Sequence, residues 1–265
     1  MHPKNYKESL VCVEQAASRA GLSLNYLDKH QVMAEISLPN KGVLRFIHNK
    51  NPFNNYISTR ICQDKSLQNN LYKKASILHP NTRSYFNPLS PEQYLEYADL
   101  KSIKAISQDI LHNFEFPFVL KKNNSSLSKD VYLVESVSQL RELLGVYFKP
   151  GKTEIIVVQD YIPGVEYRVI SLKGEPLLAY TKMGKFTKSK NPAQKTPTTQ
   201  FQDISKQIFK TLQVNFCGID LIKSLDGKVY VLETNANPAC FYYNKHNGRE
   251  DFIQVYLKCL QQYQN

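Results

Sequence analysis

Residues Gly218 to Pro238 read G-I-D-L-I-K-S-L-D-G-K-V-Y-V-L-E-T-N-A-N-P. Two runs rich in Ile, Leu and Val flank the turn signal Asp226-Gly227, which predicts a β-hairpin with strands over Cys217–Lys223 and Lys228–Glu233. Side chains alternate along a strand, so Glu233 and Asn235 share a face. A connection of Leu225 to Lys228 pairs Ser224 with Val229 and sets Asp220 opposite Glu233. Asp220, Glu233 and Asn235 then converge on one face of an otherwise apolar pair of strands. Hard oxygen donors so arranged suit Mg2+, which keeps waters and bridges to phosphates. An exposed polar face of a hairpin is the plain alternative.

Upstream, Q-D-Y-I-P-G-V-E-Y-R-V (Gln159 to Val169) ends one strand, turns at Pro163-Gly164 and opens a second hairpin, Val165–Leu172 with Pro176–Lys182. A connecting backbone there can hydrogen-bond an adenine edge, and Glu166 can accept from ribose hydroxyls. A turn with a surface carboxylate fits the same residues. Further upstream, F-P-F-V-L-K-K-N-N-S-S-L-S-K-D-V-Y-L-V (Phe116 to Val134) sets two β-prone runs around a loop of lysines and serines. It reads either as a surface hairpin or as a loop that closes over phosphates.

The remaining segments complete an α+β pattern. Helical spacing covers Tyr6 to Ala20 and stops at Gly21, and β-like runs follow at Leu22–Leu27, Gln31–Leu38 and Gly42–Ile47. Asn51 to Asn54 is turn chemistry. Two short helices follow, the second starting near Asp64. A helix is predicted within Asn87–Asp99, with Pro91 in its first turn, and another over Leu100–Leu111. One capped by Ser136 or Ser138 comes next, then a strand over Glu154–Gln159. Phe201–Leu212 and Glu250–Tyr263 are the last helices, and Gly184–Thr199 reads as a polar loop.

Composition narrows the class. The 265 residues are 42% hydrophobic and 11% aromatic, which suits a folded globular chain. No apolar run is long enough for a membrane span, and the first residues lack an apolar signal core, so no membrane and a cytoplasmic location are the expectations. Five cysteines without C-x-x-C spacing fit reduced thiols rather than disulfides or zinc. A net charge of +11 favours anionic partners. No nucleic-acid-binding motif accompanies it, so small anions are expected over nucleic acid.

Taken in order, these motifs resemble the ATP-grasp superfamily from about Ile57 to Ile253, within it the amino-acid and peptide ligases around cyanophycin synthetase, fused bacterial glutathione synthetase and D-alanine–D-alanine ligase. The resemblance implies an ATP-grasp fold: two α/β subdomains clasping ATP between antiparallel sheets, with a small N-terminal α/β region. The implied divisions are 1–84, 85–160 and 161–265. D-K-S-L-Q-N-N-L-Y-K-K-A-S-I-L-H-P looks like the helix whose lysine, here Lys65, reaches ATP phosphates, and F-P-F-V-L-K like the strand with the second phosphate lysine, Lys121.

The hinge would offer Asp160, Tyr161 and Ile162 by backbone, with Gln159 near adenine and Glu166 on ribose. Asp220, Glu233 and Asn235 would hold one or two Mg2+, with Mn2+ as a substitute. Ser125, Ser126 and Ser128 stand in the phosphate lid, where Ser125, Ser128 and Asp130 replace the usual glycines. Arg168 and Lys182 would face the γ-phosphate, Asn237 the acceptor pocket, and the loop Lys185–Lys195 would order over substrate.

The implied activity is ATP-dependent carboxylate–amine ligation through an acyl phosphate, on an amino acid, a peptide or another small acid, by a chain that in this group is often a homodimer. A kinase of polyanionic polyols is the alternative enzyme. A nucleotide-binding pseudoenzyme is the alternative suggested by the glycine-poor lid.

Overall fold

The computed structural model describes residues 4–39, 42–125, 130–182, 186 and 193–264, with side chains from Lys7 onward. Helix α1 (Lys4–Arg19) buries Leu10, Val13, Ala16 and Ala17, the stripe its spacing predicted. A small antiparallel sheet follows: β1 (Leu24–Tyr26), β2 (Met33–Leu38) and β3 (Gly42–Ile47). Next come α2 (Tyr56–Ile61) and α3 (Lys65–Lys74), the latter capped by Asp64, whose carboxylate accepts from the Leu67 amide.

The central unit comprises β4 (Thr82–Phe86), α4 (Ile103–Asn113), β5 (Phe118–Lys122), β6 (Val131–Val134), α5 (Val137–Tyr147) and β7 (Ile155–Asp160). Its sheet is antiparallel in the order β4-β7-β5-β6. Ser136 caps α5. Within Asn87–Asp99 the predicted helix is a single 3-10 segment, Glu92–Tyr97, with Pro91 just ahead of it. Ile106, Ile110, Leu140 and Leu144 pack on Phe118, Leu120, Ile156 and Val158. Strand alternation therefore turns Val119, Lys121, Val157 and Gln159 to the opposite face.

The C-terminal sheet comprises β8 (Gly164–Leu172), β9 (Glu175–Thr181), β10 (Lys195–Thr196), then, after α6 (Gln202–Leu212), β11 (Phe216–Ser224) and β12 (Val229–Asn235). The order is β10-β9-β8-β11-β12, and α7 (Phe241–Asn247) and α8 (Glu250–Gln264) follow. One face, with Val169, Ala179, Ile219 and Val231, packs on Tyr72 of α3 and on Ile208 and Leu212 of α6. The other face carries Ile170, Tyr180 and Phe216, which share a core with α1, the small sheet and α8. Residues before β4 thus belong to the C-terminal body by packing. The division drawn at 84 runs through β4, a strand of the central sheet.

The β11–β12 hairpin reaches the expected pairing by another route. Its connection is one residue tighter: the Ser224 amide bonds the Lys228 carbonyl at 2.9 Å, Gly227 takes a positive φ of 86°, and Lys223, not Ser224, faces Val229. A bulge between Leu221 and Asp220 then absorbs Leu232, so that Asp220 sits opposite Glu233 after all. Without that extra residue, Leu232 would occupy the place of the carboxylate.

Residues Tyr161 to Pro163 join the two sheets. At Gly164 a Cβ would lie 2.2 Å from the carbonyl oxygen of Lys223, so β8 and β11 meet there with no room for a side chain. Gly164→Ala is therefore expected to destabilise by about 1–3 kcal/mol, read as a fall in melting temperature; an unchanged melt would show that the strands part at no cost.

Candidate active site

Between the two sheets lies a cleft partly open to solvent. From the central sheet come Val119, Lys121, Val131 and Gln159, and from the connection Asp160, Tyr161 and Ile162. Glu166, Lys182, Asp220, Ile222, Leu232 and Glu233 form the opposite wall, with Lys65, Ser125 and Phe186 at the rim and end. Residues as far apart in the chain as Lys65 and Glu233 are thus brought together.

Lys65 is the first residue of α3 and is buried. A cation at a helix N-terminus is unfavourable, so its ammonium needs acceptors. It donates to the carbonyls of Asn123 (3.2 Å) and Ser125 (2.6 Å) and lies 3.7 Å from Glu233 Oε2. The Asn123 side chain accepts from the Ser66 amide at 2.8 Å, which pins this helix end to the start of the lid.

Lys121 points into the cleft and donates to Gln159 Oε1 at 2.9 Å. Burial pushes its ammonium down to about 8, and neighbouring Lys65 and Lys182 add to that while Glu233 and Asp220 oppose it.

Asp220, with a side chain only 2% exposed, is the electrostatic centre. Arg168, its direct cross-strand partner, grips both oxygens through Nε and Nη2, each at 2.7 Å. Lys182 Nζ adds a bond of 2.6 Å. Burial drives the Asp220 carboxyl up, yet the two cations outweigh it and hold the group well below the usual carboxylate range. Burial likewise lowers the Arg168 pKa, and Asp220 reverses the shift to leave it raised. Glu233 accepts from Asn235 Nδ2 at 3.1 Å.

Some expectations change with the geometry. Arg168 and Lys182 sit on the expected face, but both are bound to Asp220, because cross-strand neighbours of opposite charge meet first. Gln159 lines the cleft with its carboxamide committed to Lys121 and, through Nε2, to Thr82 Oγ1 at 3.2 Å. Ser125 lines the cleft, while its hydroxyl donates to the Lys122 carbonyl at 3.0 Å. Asn237 is outside the cleft lining. Its Oδ1 accepts from the Asn51 amide and side chain, and its carbonyl accepts from Asn49, so it fastens the hairpin end to the turn after β3. Ser126 and Ser128, and most of the loop 185–195, lie outside the described residues; Phe186 is described and reaches the cleft.

Sequence reasoning passed over Asn123 and the apolar walls Val119, Val131, Ile222 and Leu232. Val119 was readable as the same-face neighbour of Lys121. Leu232 was not, since only the bulge turns it inward.

Asp220, Glu233 and Asn235 lie on neighbouring strands and carry oxygen donors of the type a hard divalent cation takes, but both Asp220 oxygens are held by Arg168 and Lys182, and Asn235 is not among the residues lining the cleft. Among the described residues no group of three or more His, Cys, Asp or Glu side chains is gathered to hold a metal. Two carboxylates and an amide suit an ion whose remaining ligands are waters and phosphate oxygens. Among the described residues, no helix is long and apolar enough to cross a membrane.

Over 138 residues the chain is 30% identical to a D-alanine–D-alanine ligase of Aquifex aeolicus (strain VF5), an alignment covering 47% of each chain. It spans about half the length of the curated relatives it matches. Its fold is similar to that of a D-alanine–D-alanine ligase from Bacillus anthracis, with a TM-score of 0.54 and 19% identity over 80% of this chain and 72% of that one. It is similar too to the VanG D-Ala:D-Ser ligase from Enterococcus faecalis, with a TM-score of 0.57 and 17% identity over 79% and 64%. Those likenesses establish an ATP-grasp fold, with mixed helices and antiparallel sheets. The sequence profile of RimK-like ATP-grasp domains matches residues 63–255, most of the chain, and the protein belongs to that family.

Proposed function

We propose that this chain is an ATP-dependent ligase that joins a carboxylate to an amine. The observation that carries the reading is the cluster of Lys65, Lys121, Arg168 and Lys182 gathered about Asp220 and Glu233 in a cleft walled by two sheets, with Asp160 and Glu166 lining the cleft elsewhere. A buried excess of cations is stabilised by a polyanion. The connection at Asp160–Ile162 and the apolar pair Val119 and Ile222 suit the adenine at the other end, with Glu166 at the ribose.

On this reading Lys65 and Lys121 hold the phosphates. Mg2+ held by Asp220, Glu233 and Asn235 would neutralise charge on the phosphoryl oxygens. Arg168 and Lys182 stand where they can transfer from Asp220 to the γ-phosphate. A substrate carboxylate oxygen attacks the γ-phosphorus and the bond to the β-phosphate breaks, giving an acyl phosphate and ADP. An amine then attacks the acyl carbon, loses a proton and expels phosphate, leaving an amide. The ligases among the relatives support a ligation reaction.

The test is ADP and phosphate release with Mg2+-ATP and a panel of amino acids and peptides. Release that requires both an acid and an amine is expected. Phosphate transferred onto a polyol would favour a kinase, and ATP binding without turnover on any substrate a pseudoenzyme.

Lys121 gives this reading a pH signature. Held at about 8, it is half neutral in the free protein at pH 8. A bound triphosphate favours the charged ammonium, so binding takes up a proton. Affinity is thus greatest below pH 8 and weakens by up to about tenfold per unit above it. The unliganded protein behaves oppositely: its folded state binds fewer protons than the unfolded chain between about 8 and the usual lysine value, so its stability rises with pH there. Calorimetry in buffers of different ionisation enthalpy at pH 8 should show uptake of about half a proton per ATP; none would exclude Lys121 from the phosphate site.

A further inference from the structure

A second cleft of about 1330 Å3 lies beside the first and has no role in the chemistry above. Its floor is β4, an edge of the central sheet. Asn81 and Asn87, flanking the strand, bond the β7 side through the Asn81 carbonyl (3.0 Å, from Asp160) and the Asn87 amide (2.9 Å, to Glu154). By alternation, the backbone N–H and C=O groups of Thr82, Ser84 and Phe86 face away from β7. Among the described residues they have no protein partner. All three residues line the cleft.

Two helices wall this edge. Ser66, Asn69, Asn70 and Lys73, at helical spacing, present one face of α3. Ile106 and Asp109 of α4, with Tyr97, form the other wall. Asn69 is 7% exposed and donates to the Lys65 carbonyl at 2.7 Å, but its Oδ1 has no hydrogen-bond partner among the described residues. A buried amide oxygen left without a donor is destabilising, and Asn69 lines a slot whose floor also lacks partners. The complement of such a surface is a chain with its own alternating N–H and C=O groups.

We infer that this slot docks an extended polypeptide segment, added to the central sheet beside β4, and that the segment belongs to the ligase's substrate; the second half rests on the function proposed above. The strand is five residues long, so about 17 Å of peptide fits along it. The lining charges balance, Arg83 with Asp109 at 3.0 Å and Lys73 against Asp99, so the slot selects no net charge and recognition falls to backbone and carboxamide groups, tolerant of sequence. A second copy of this chain is the poorer occupant, because its own β4 lies at the bottom of the same slot. The two clefts share a wall: Lys121, Gln159 and Thr82 form one hydrogen-bonded line from the phosphate end to this floor. A peptide seated on β4 therefore lies one side chain away from the nucleotide site.

The test uses the full chain with a fluorescein-labelled, degenerate heptapeptide library bearing free carboxy termini. At millimolar library, exchange of the Thr82, Ser84 and Phe86 amides should slow, while those of Arg83 and Tyr85 change little. Ser84→Pro removes only an outward N–H, which edge strands tolerate. It should weaken library binding about tenfold, with ATP affinity kept within about twofold. The exchange measurement on the unaltered chain stands even if that variant misfolds. No slowing at the three amides would overturn the proposal, as would equal library binding by Ser84→Pro. Slowing that grows with protein concentration without peptide would also overturn it, in favour of a second copy. ATP binding is measured in the same samples. Its absence would remove the ligase reading while leaving peptide docking on β4 readable.

Discussion

Glu233→Gln is expected to lower ATP-dependent phosphate release by at least about a hundredfold while leaving the melting temperature near that of the unaltered protein. The two effects separate because of where the side chain sits. Glu233 is half-buried, and among the described residues its close partners are Lys65 and the Asn235 amide, which a glutamine oxygen can still satisfy. What the substitution removes is the charge that would counter a divalent cation next to a triphosphate. Turnover close to normal, measured at saturating Mg2+, would take Glu233 out of the chemistry and leave the hairpin without a catalytic purpose.

Asp220→Asn should behave differently, with both stability and activity lowered. Here the side chain is buried and binds two cations at 2.6–2.7 Å. An amide can accept from one of them only, and its own N–H groups then face the other. Arg168 and Lys182 retain 17% and 24% exposure, so solvent softens the loss. The lower end of the range for breaking a buried ion pair, about 3 kcal/mol, is expected. For a chain of this size that corresponds to roughly 6–12 °C of melting temperature. Pyrophosphate should restore several degrees to the variant and fewer to the parent, since it supplies the missing anion. A melting temperature within about 2 °C of the parent would show that the two cations relax into water and that Asp220 holds nothing together.

The contrast between these residues shows what could be read from the chain. That Asp220 and Glu233 face each other followed from alternation and a turn signal, although a tighter turn and the bulge at Leu232 cancel to give the result. That Arg168 shares a face with Glu166 was legible by the same alternation, whereas Lys182 could be placed only at the end of the next strand. Their partner was not legible, because a strand pattern fixes the side a residue faces and leaves open which neighbour it reaches. Asn237 shows the same limit across a longer span: its bond to Asn51, 186 positions away, depends on how the small sheet docks. The division of the chain into thirds also missed that docking, since helix and strand periodicities carry no information about which faces pair. The second cleft was invisible for a further reason, being defined by backbone groups that every sequence possesses.

The packing of α1 against α8 bears on how the protein is made. Arg19 and Glu250, 231 positions apart, form a two-pronged bond, and the apolar stripe of α1 is sealed by Phe252, Val255 and Tyr256. During translation that stripe must wait, uncovered, until nearly all of the residues between have been synthesised. Contacts so distant along the chain slow folding and prolong the interval in which sticky surface is on show. Chaperone demand should therefore rise with the apolar stripe of α1, and polar replacements there should raise the yield of nascent protein even as they weaken the finished one.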